Sequence, residues 1–125
     1  MAGSKGTKYF DIFLKYEVGF YSLNYKSRIN DDFIKLLEKI NETKSLKAAA
    51  NKLNLSYRKA WGDIIKAENF FGFPLVEKHR GGIKGGGSML TTDGHELVQS
   101  FAELNNEFDQ AIKKITKKFF NKINK

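Results

Sequence analysis

The side chains best suited to chemistry in this sequence are hydroxyls and cations gathered in two short stretches. The first is Ser56-Tyr57-Arg58-Lys59, and the second runs from Lys78 through a glycine-rich loop that contains Lys84. The planar guanidinium of an arginine can donate to guanine O6 and N7 together, whereas a lysine offers a less directional charge to a phosphate. Both stretches therefore indicate nucleic-acid binding, with Arg58 as the predicted base-reading residue.

Other chemistries find little support in the sequence. Cysteine is absent, and His79 and His95 have no histidine four residues away and no cysteine nearby, so a zinc site is not indicated. No Ser/His/Asp arrangement can be argued from the spacings. The glycine-rich loop lacks the GxxxxGK[ST] pattern of a nucleotide-binding loop and stands between two predicted strands. We therefore expect a protein that is not an enzyme and that takes no cofactor or metal.

Two short helices, within residues 45–71, are predicted to position the first stretch. The first helix carries small and aliphatic residues at the spacing of a packed face: Leu46, Ala49, Ala50 and Leu53. Asn54 suits the left-handed turn that follows, and Ser56 is a favoured N-cap for the second helix. The second helix is expected to bury one stripe, made of Ala60, Trp61, Ile64 and Ile65. This pattern is typical of a helix-turn-helix, whose second helix enters the DNA major groove.

Residues 75–91 predict a β-hairpin, or wing, beside that helix. Its two strands flank five glycines, and such a tip can approach a phosphate or enter a narrow minor groove without side-chain clashes. Base contacts are expected from the helix start, and phosphate contacts from the wing and from cations nearby. The predicted DNA-binding residues are Lys44, Ser45, Ser56, Tyr57, Arg58, Lys59, Lys66, Lys78, His79, Arg80, Lys84, Gly85 and Gly86.

Three segments carry a family resemblance. They are Ser45–Ala50 (SLKAAA), Ser56–Trp61 (SYRKAW) and Gly81–Thr91 (GGIKGGGSMLT). Together they resemble the DNA-binding domain of the molybdate-responsive ModE regulators and, more distantly, the LysR-type regulators. The resemblance covers most of the chain from Arg28 onwards and implies a dimeric, prokaryotic DNA-binding protein. ModE proteins continue into molybdate-binding domains that this sequence does not include.

The charge distribution agrees with a polyanionic partner. The 125 residues carry a net charge of +8. Residues 44–92 contain 9 basic and 3 acidic residues, whereas residues 30–43 contain 2 basic and 4 acidic ones. The positive charge is thus concentrated on the predicted helix-turn-helix and wing. No apolar run approaches a membrane span or a secretory signal, so we expect a cytoplasmic, nucleoid-associated protein.

The N-terminal region predicts a tail and a hairpin. Residues 1–7 are expected to be a disordered or expression-derived tail, ahead of a single domain over residues 8–125. Apolar residues alternate with others from Phe10 to Glu17, which predicts a strand. A turn at Gly19 and a return strand over Phe20–Tyr25 complete the hairpin predicted within residues 8–27. Its aromatic residues are expected to pack on the helices or on a partner subunit, and a base-stacking platform for single strands is the alternative.

Two further helices are predicted to support the helix-turn-helix and the wing, which together form the reading unit (residues 45–91). The first begins at Asn30 or Asp31, and its apolar stripe is Ile29, Phe33, Leu36, Leu37 and Ile40. The last, over residues 93–120, is capped by Thr92 and carries apolar residues at alternating intervals of four and three, a heptad seam. We expect this seam to join two copies of the chain, and the alternative is a helix that packs on its own domain. The predicted dimerisation residues are Leu97, Phe101, Leu104, Phe108, Ala111, Ile112 and Ile115.

The sequence therefore predicts a mainly α-helical protein with short β-hairpins, a winged helix-turn-helix with a long C-terminal dimerisation helix. We expect it to bind specific duplex DNA as a homodimer and to regulate transcription. One alternative is a module that uses the same fold for a protein partner. Another is a molybdate-linked regulator, in which molybdate binds this domain directly or a separate chain carries the sensor.

Overall fold

A computed structural model describes residues 6, 8–24, 27–79 and 87–124 of the chain. These residues form two compact units, Val18–Phe101 and Met1–Glu17 with Ala102–Lys125, where the sequence predicts a single domain. The elements in chain order are β1 (Phe20–Ser22), β2 (Ser27–Ile29), α1 (Asp31–Thr43), α2 (Leu46–Lys52), α3 (Tyr57–Phe71), β3 (Val76–His79), β4 (Gly87–Leu90) and α4 (Thr92–Ile123). The predicted class, helices with two short antiparallel strand pairs, is confirmed.

Helix α1 supplies much of the core of the larger unit. The side chain of Asn30 accepts from Asp32 N at 3.1 Å, which satisfies one of the unpaired donors at the helix start. The predicted apolar stripe is buried throughout, and Ile34 is buried with it. The helix ends at Lys44, whose φ of 57° turns the chain towards α2. Both the start and the buried face of this helix therefore follow from the sequence.

The turn between α2 and α3 also forms as predicted. Ser45 caps α2 by accepting from Ala48 N at 3.1 Å, and Ser56 caps α3 by accepting from Lys59 N at 3.0 Å. Between them Asn54 adopts a φ of 58°, the left-handed conformation that asparagine tolerates. Ala49 and Ala50 are completely buried, which allows the neighbouring helices to approach closely.

The predicted buried stripe of α3 is wrong in two positions. The buried residues are Ala60, Ile64 and Ala67, whereas Ile65 is 44% exposed and Trp61 is half-buried. At 100° per residue, Ile65 lies about 140° around the helix from Ala60, so the two cannot share one packed face. Ile65 therefore belongs to the exposed surface, and Trp61 to the edge of the core.

The N-terminal hairpin forms later in the chain than predicted. Strands β1 and β2 pair with Phe20 opposite Ile29, whereas no strand forms over Phe10–Glu17. The alternating pattern fails there because Ile12 N bonds to Tyr9 O in a turn and Asp11 takes a φ of 67°. Phe20 itself packs within the larger unit, its ring centroid 5.4 Å from that of Phe71 and 5.5 Å from that of Phe101.

Helix α4 is longer than the predicted range of 93–120 and contributes to both units. In the larger unit Phe101 is buried, so this member of the predicted seam packs within its own chain. In the smaller unit Phe120 is buried with its ring centroid 6.2 Å from that of Tyr9, and the Tyr16 hydroxyl donates to the Asp109 carboxylate, which raises the pKa of Tyr16. None of the helices in the described residues is both long and apolar enough to span a membrane.

Candidate nucleic-acid interface

The start of α3 is open to solvent. Ser56, Tyr57, Arg58 and Lys59 are all exposed, and the Ser56 cap holds the first turn in helical geometry. The N-terminal turn of such a helix carries unpaired backbone N–H groups and the positive end of the helix dipole. An anionic surface can therefore reach this turn without displacing the described part of the chain.

Lys78 joins the wing strand β3 to this helix. Its Nζ donates to the Tyr57 hydroxyl at 2.8 Å and lies 4.0 Å from the centroid of the Trp61 ring. A cation over an indole face is attracted by the ring quadrupole. Because Lys78 donates to the Tyr57 oxygen, the phenolic hydrogen can still donate to another acceptor, such as a phosphate. The half-buried Trp61 thus orients a wing residue as well as packing on the core.

The base of the wing is fixed to α3 by Glu68, a residue outside every set predicted from the sequence. One carboxylate oxygen of Glu68 accepts from Leu75 N at 2.7 Å and from Val76 N at 3.2 Å. These two amides begin the strand just after Pro74, and buried amides need a partner. An acidic residue in the last turn of a helix, followed closely by a glycine, a proline and a strand, is the signal that could have indicated this bond.

Thr91 and Gly94 close the other side of the wing. The Thr91 hydroxyl donates to Pro74 O at 2.8 Å and accepts from Gly94 N at 3.0 Å, so Thr91 caps α4 in place of the predicted Thr92. A Cβ at Gly94 would lie 2.3 Å from Leu75 O, which no side chain can occupy. Thr91 and Gly94 therefore form the junction of β3, β4 and α4.

A third junction ties the α1–α2 corner to β4. Ser88 N donates to Lys44 O at 3.0 Å, and a Cβ at Gly87 would lie 3.0 Å from that same oxygen. The side chain of Lys44 is exposed and donates to Asn41 Oδ1 at 3.1 Å. Lys44 and Ser45 therefore lie where the helix-turn-helix meets the wing.

Lys59 and Lys66 lie on another side of α3. Lys59 Nζ is 2.7 Å from Asp63 Oδ1, and both lysines line a cavity of about 280 Å³ together with Arg28. The Lys59 side chain is largely exposed, so its ion pair with Asp63 restrains it only weakly. The predicted residues thus separate into a group around Tyr57 and Lys78 and a group around the cavity.

Part of the predicted site lies outside the described residues, namely Arg80, Lys84, Gly85 and Gly86. For His79 the backbone is described, and it pairs with Gly87 at the end of the wing strands. Within the described ranges, no group of three or more His, Cys, Asp or Glu side chains could hold a metal ion.

An exposed, capped helix joined through its neighbours to a two-stranded wing defines a winged helix-turn-helix domain. Residues 32–95 match the family model of the bacterial regulatory helix-turn-helix protein, lysR family. The chain belongs to this family.

Curated relatives agree with that assignment. The chain is 34% identical over 90 residues to the molybdenum transport protein ModE of Azotobacter vinelandii, covering 72% of this chain and 33% of the relative. It is 35% identical over 85 residues to the molybdenum-pterin-binding protein MopA of Rhodobacter capsulatus, covering 68% of this chain and 32% of that protein. The matched region therefore spans about a third of the length of these relatives.

Solved structures share the fold. The DNA-binding domain of BenM in complex with benA site 1 DNA aligns with a TM-score of 0.55 at 22% identity, over 71% of this chain and 94% of that chain. The complex of the CbnR DNA-binding domain with DNA aligns with a TM-score of 0.54 at 21% identity, over 70% of this chain and 99% of that chain. At this level of identity the likeness establishes the winged helix-turn-helix architecture.

Proposed function

We propose that this chain is a duplex DNA-binding transcriptional regulator that acts as a homodimer in the prokaryotic cytoplasm, associated with the nucleoid. The observation that carries the proposal is the exposed Ser56–Lys59 turn, held next to the wing strand through Lys78. Membership of a regulatory helix-turn-helix family supports it. Such a protein is not an enzyme and takes no cofactor.

The two groups of cations have different proposed roles. Arg58 projects from the first turn of α3, where helix-turn-helix proteins meet base edges, and it reads a guanine. Tyr57 and Lys78 contact a phosphate beside it. Lys44, Ser45, Lys59 and Lys66 contact phosphates around this centre, and the wing residues His79, Arg80, Lys84, Gly85 and Gly86 follow the backbone or the minor groove.

The proposed dimer uses the C-terminal part of α4. Phe108, Ala111 and Ile115 are exposed at heptad spacing, and Phe119 is exposed four residues further on. Leu97 and Leu104 are half-buried and continue the same stripe towards the start of the helix, and the half-buried Ile112 borders it. A two-fold dimer would present its reading helices to half-sites about 34 Å apart, or a multiple of that, on a partly palindromic operator.

Regulation linked to molybdate is an alternative form of this proposal. Two relatives are named for molybdenum, as a transport protein and as a pterin-binding protein. In that alternative, a molybdate-sensing domain on another chain acts on this one. Isothermal titration of this chain with molybdate should then give no binding heat, and a saturable heat would assign the sensor to this chain.

Selection of bound sequences from a random duplex pool tests the central proposal. A palindromic consensus is expected, and failure to enrich any sequence would favour the protein-interaction alternative. Arg58→Ala should lose about 1–3 kcal/mol on the selected site, with relaxed preference at one base pair. The control is Lys35→Ala, which removes one positive charge from an exposed position on α1. An equal loss of affinity for selected and random duplexes would reduce Arg58 to a phosphate contact.

The salt dependence of DNA binding tests whether the tip of the wing contacts DNA. Lys84→Ala should weaken binding to selected and random duplexes alike and lower the slope of log K against log salt by about one per protomer. An unchanged slope would remove the wing tip from the interface.

A further inference from the structure

Gly62 lies near the middle of α3, and no contact in the described part of the fold requires a glycine there. A Cβ built there would meet no atom within 4 Å, and Gly62 is not among the glycines with positive φ. Glycine is, after proline, the residue least favoured in a helix interior. An alanine would therefore fit and would make the helix more stable. A glycine at this exposed position leaves the backbone of the helix without a covering side chain, so a partner can approach it closely.

The exposed face around Gly62 contains Arg58 one turn before it and Ile65 one turn after it. Arg58, Gly62, Ile65 and Asn69 are spaced at i, i+4, i+7 and i+11, so they form one row along the helix. All four are exposed, whereas the buried residues Ala60, Ile64 and Ala67 occupy the opposite side. The glycine thus lies in the row that begins with the proposed base-reading arginine.

The neighbours of α3 in the described part of the chain leave Gly62 untouched. The cavity beside α3 is lined by Lys59, Asp63 and Lys66 but not by Gly62. The wing contacts α3 through Tyr57, Trp61 and Glu68, which lie on another side of the helix. Neither the core, the cavity nor the base of the wing requires a glycine at position 62.

We propose that Gly62 and Ile65 form the specificity-determining centre of the DNA interface. The missing side chain at Gly62 lets the backbone of α3 lie close to the base edges, and Ile65 packs against a thymine methyl group. This inference rests on the proposed duplex DNA binding. Ile65 cannot donate or accept a hydrogen bond, and the only apolar group on the base edges of the major groove is the C5-methyl of thymine. An exposed isoleucine about two turns along the same row from the reading arginine is therefore suited to that base.

The first experiment compares Gly62→Ala with the wild-type chain on two duplexes, the selected site and a random sequence. The melting temperature should rise by about 4 °C, because alanine favours the helix. Affinity for the selected site should fall by about tenfold or more, while affinity for the random duplex stays the same. Asn106→Ala on α4 is the control, because it also replaces an exposed helical residue with alanine but lies outside the reading unit. It should raise the melting temperature and leave both affinities unchanged.

The second experiment replaces each thymine of the selected site with uracil, which removes the methyl group alone. The wild-type chain should lose about threefold to fivefold affinity at one position in each half-site, the amount expected for one buried methyl. Ile65→Ala should be insensitive to the same replacement. Because Ile65 is exposed, its truncation should leave the melting temperature close to that of the wild type.

The outcomes separate this inference from the function on which it rests. If the wild-type chain prefers the selected duplex but Gly62→Ala binds it equally well, the inference is overturned and the DNA-binding proposal stands. A uracil profile that is the same for the wild type and Ile65→Ala would overturn the thymine contact in the same way. If the wild-type chain binds no duplex, both the proposed function and the inference fail.

Discussion

Replacement of Glu68 should show how strongly the wing depends on helix α3. Its carboxylate accepts from two consecutive backbone amides, Leu75 N at 2.7 Å and Val76 N at 3.2 Å. Leu75 and Val76 are both buried, so these amides have little access to water if the carboxylate is removed. Glu68→Ala therefore leaves two buried donors without a partner at the start of β3.

The loss in the free energy of unfolding can be estimated from these two hydrogen bonds. A hydrogen bond to a charged group contributes roughly 1.5–3 kcal/mol, and the longer bond to Val76 N should contribute less than the shorter one. We expect Glu68→Ala to lower the free energy of unfolding by about 2–4 kcal/mol in total. Glu68→Gln keeps an oxygen that can accept from Leu75 N but lacks the charge, so it should lose about 1 kcal/mol. For a chain of this size the alanine variant should melt on the order of 10 °C lower.

Urea unfolding and thermal melts of the three proteins measure this effect. Glu103→Ala is the matched control, because Glu103 is exposed on α4 and should change stability by no more than about 0.5 kcal/mol. Affinity for the selected duplex should fall for Glu68→Ala, since the wing loses its support. If Glu68→Ala were as stable as Glu103→Ala, the two amide bonds would contribute nothing and Glu68 would not hold the wing.

Three other predictions concern single contacts. Gly94→Ala should destabilise the fold by about 2 kcal/mol or more in urea unfolding, because its Cβ would overlap Leu75 O at 2.3 Å, and wild-type stability would contradict this. Lys78→Met should lower the salt slope of DNA binding by about one per protomer while Lys35→Met leaves it unchanged; equal slopes for both variants would exclude Lys78 from the interface. Phe108→Ser should raise the dimer dissociation constant about thirtyfold in sedimentation equilibrium, and an unchanged constant would exclude this face of α4 from dimerisation.

Local signals in the sequence predict the helix-turn-helix well. Ser45 and Ser56 are N-caps because a hydroxyl can accept from an amide two or three residues later, a rule that needs no tertiary information. Asn54 takes the left-handed conformation for an equally local reason. The strands of the wing follow from the glycines between them and from Pro74 before them. These features depend on the chain within a few residues, which is why the sequence reveals them.

The predictions that are wrong concern residues whose burial or pairing is determined by tertiary packing. Trp61 lies at the edge of the core rather than inside it, and the Nζ of Lys78, seventeen residues further along the chain, lies 4.0 Å from the centroid of its ring. Ile65 shares the hydrophobicity of the predicted stripe, but its angular position directs it to solvent. The strand predicted over Phe10–Glu17 fails because alternation alone does not provide a strand partner. Glu68 gives no local signal as strong as a cap, because its two acceptor bonds lie seven and eight residues further along the chain.

The three junctions of the wing have a common consequence for recognition. Lys78 connects β3 to the first two turns of α3, Glu68 connects the start of β3 to its last turn, and Ser88 connects β4 to the α1–α2 corner. With these contacts on both strands, the wing strands have little freedom to move relative to the reading helix. Binding then requires little ordering of the protein, so more of the interaction energy remains as affinity. Substitutions such as Gly94→Ala, which touch no proposed DNA contact, should therefore weaken binding through the position of the wing.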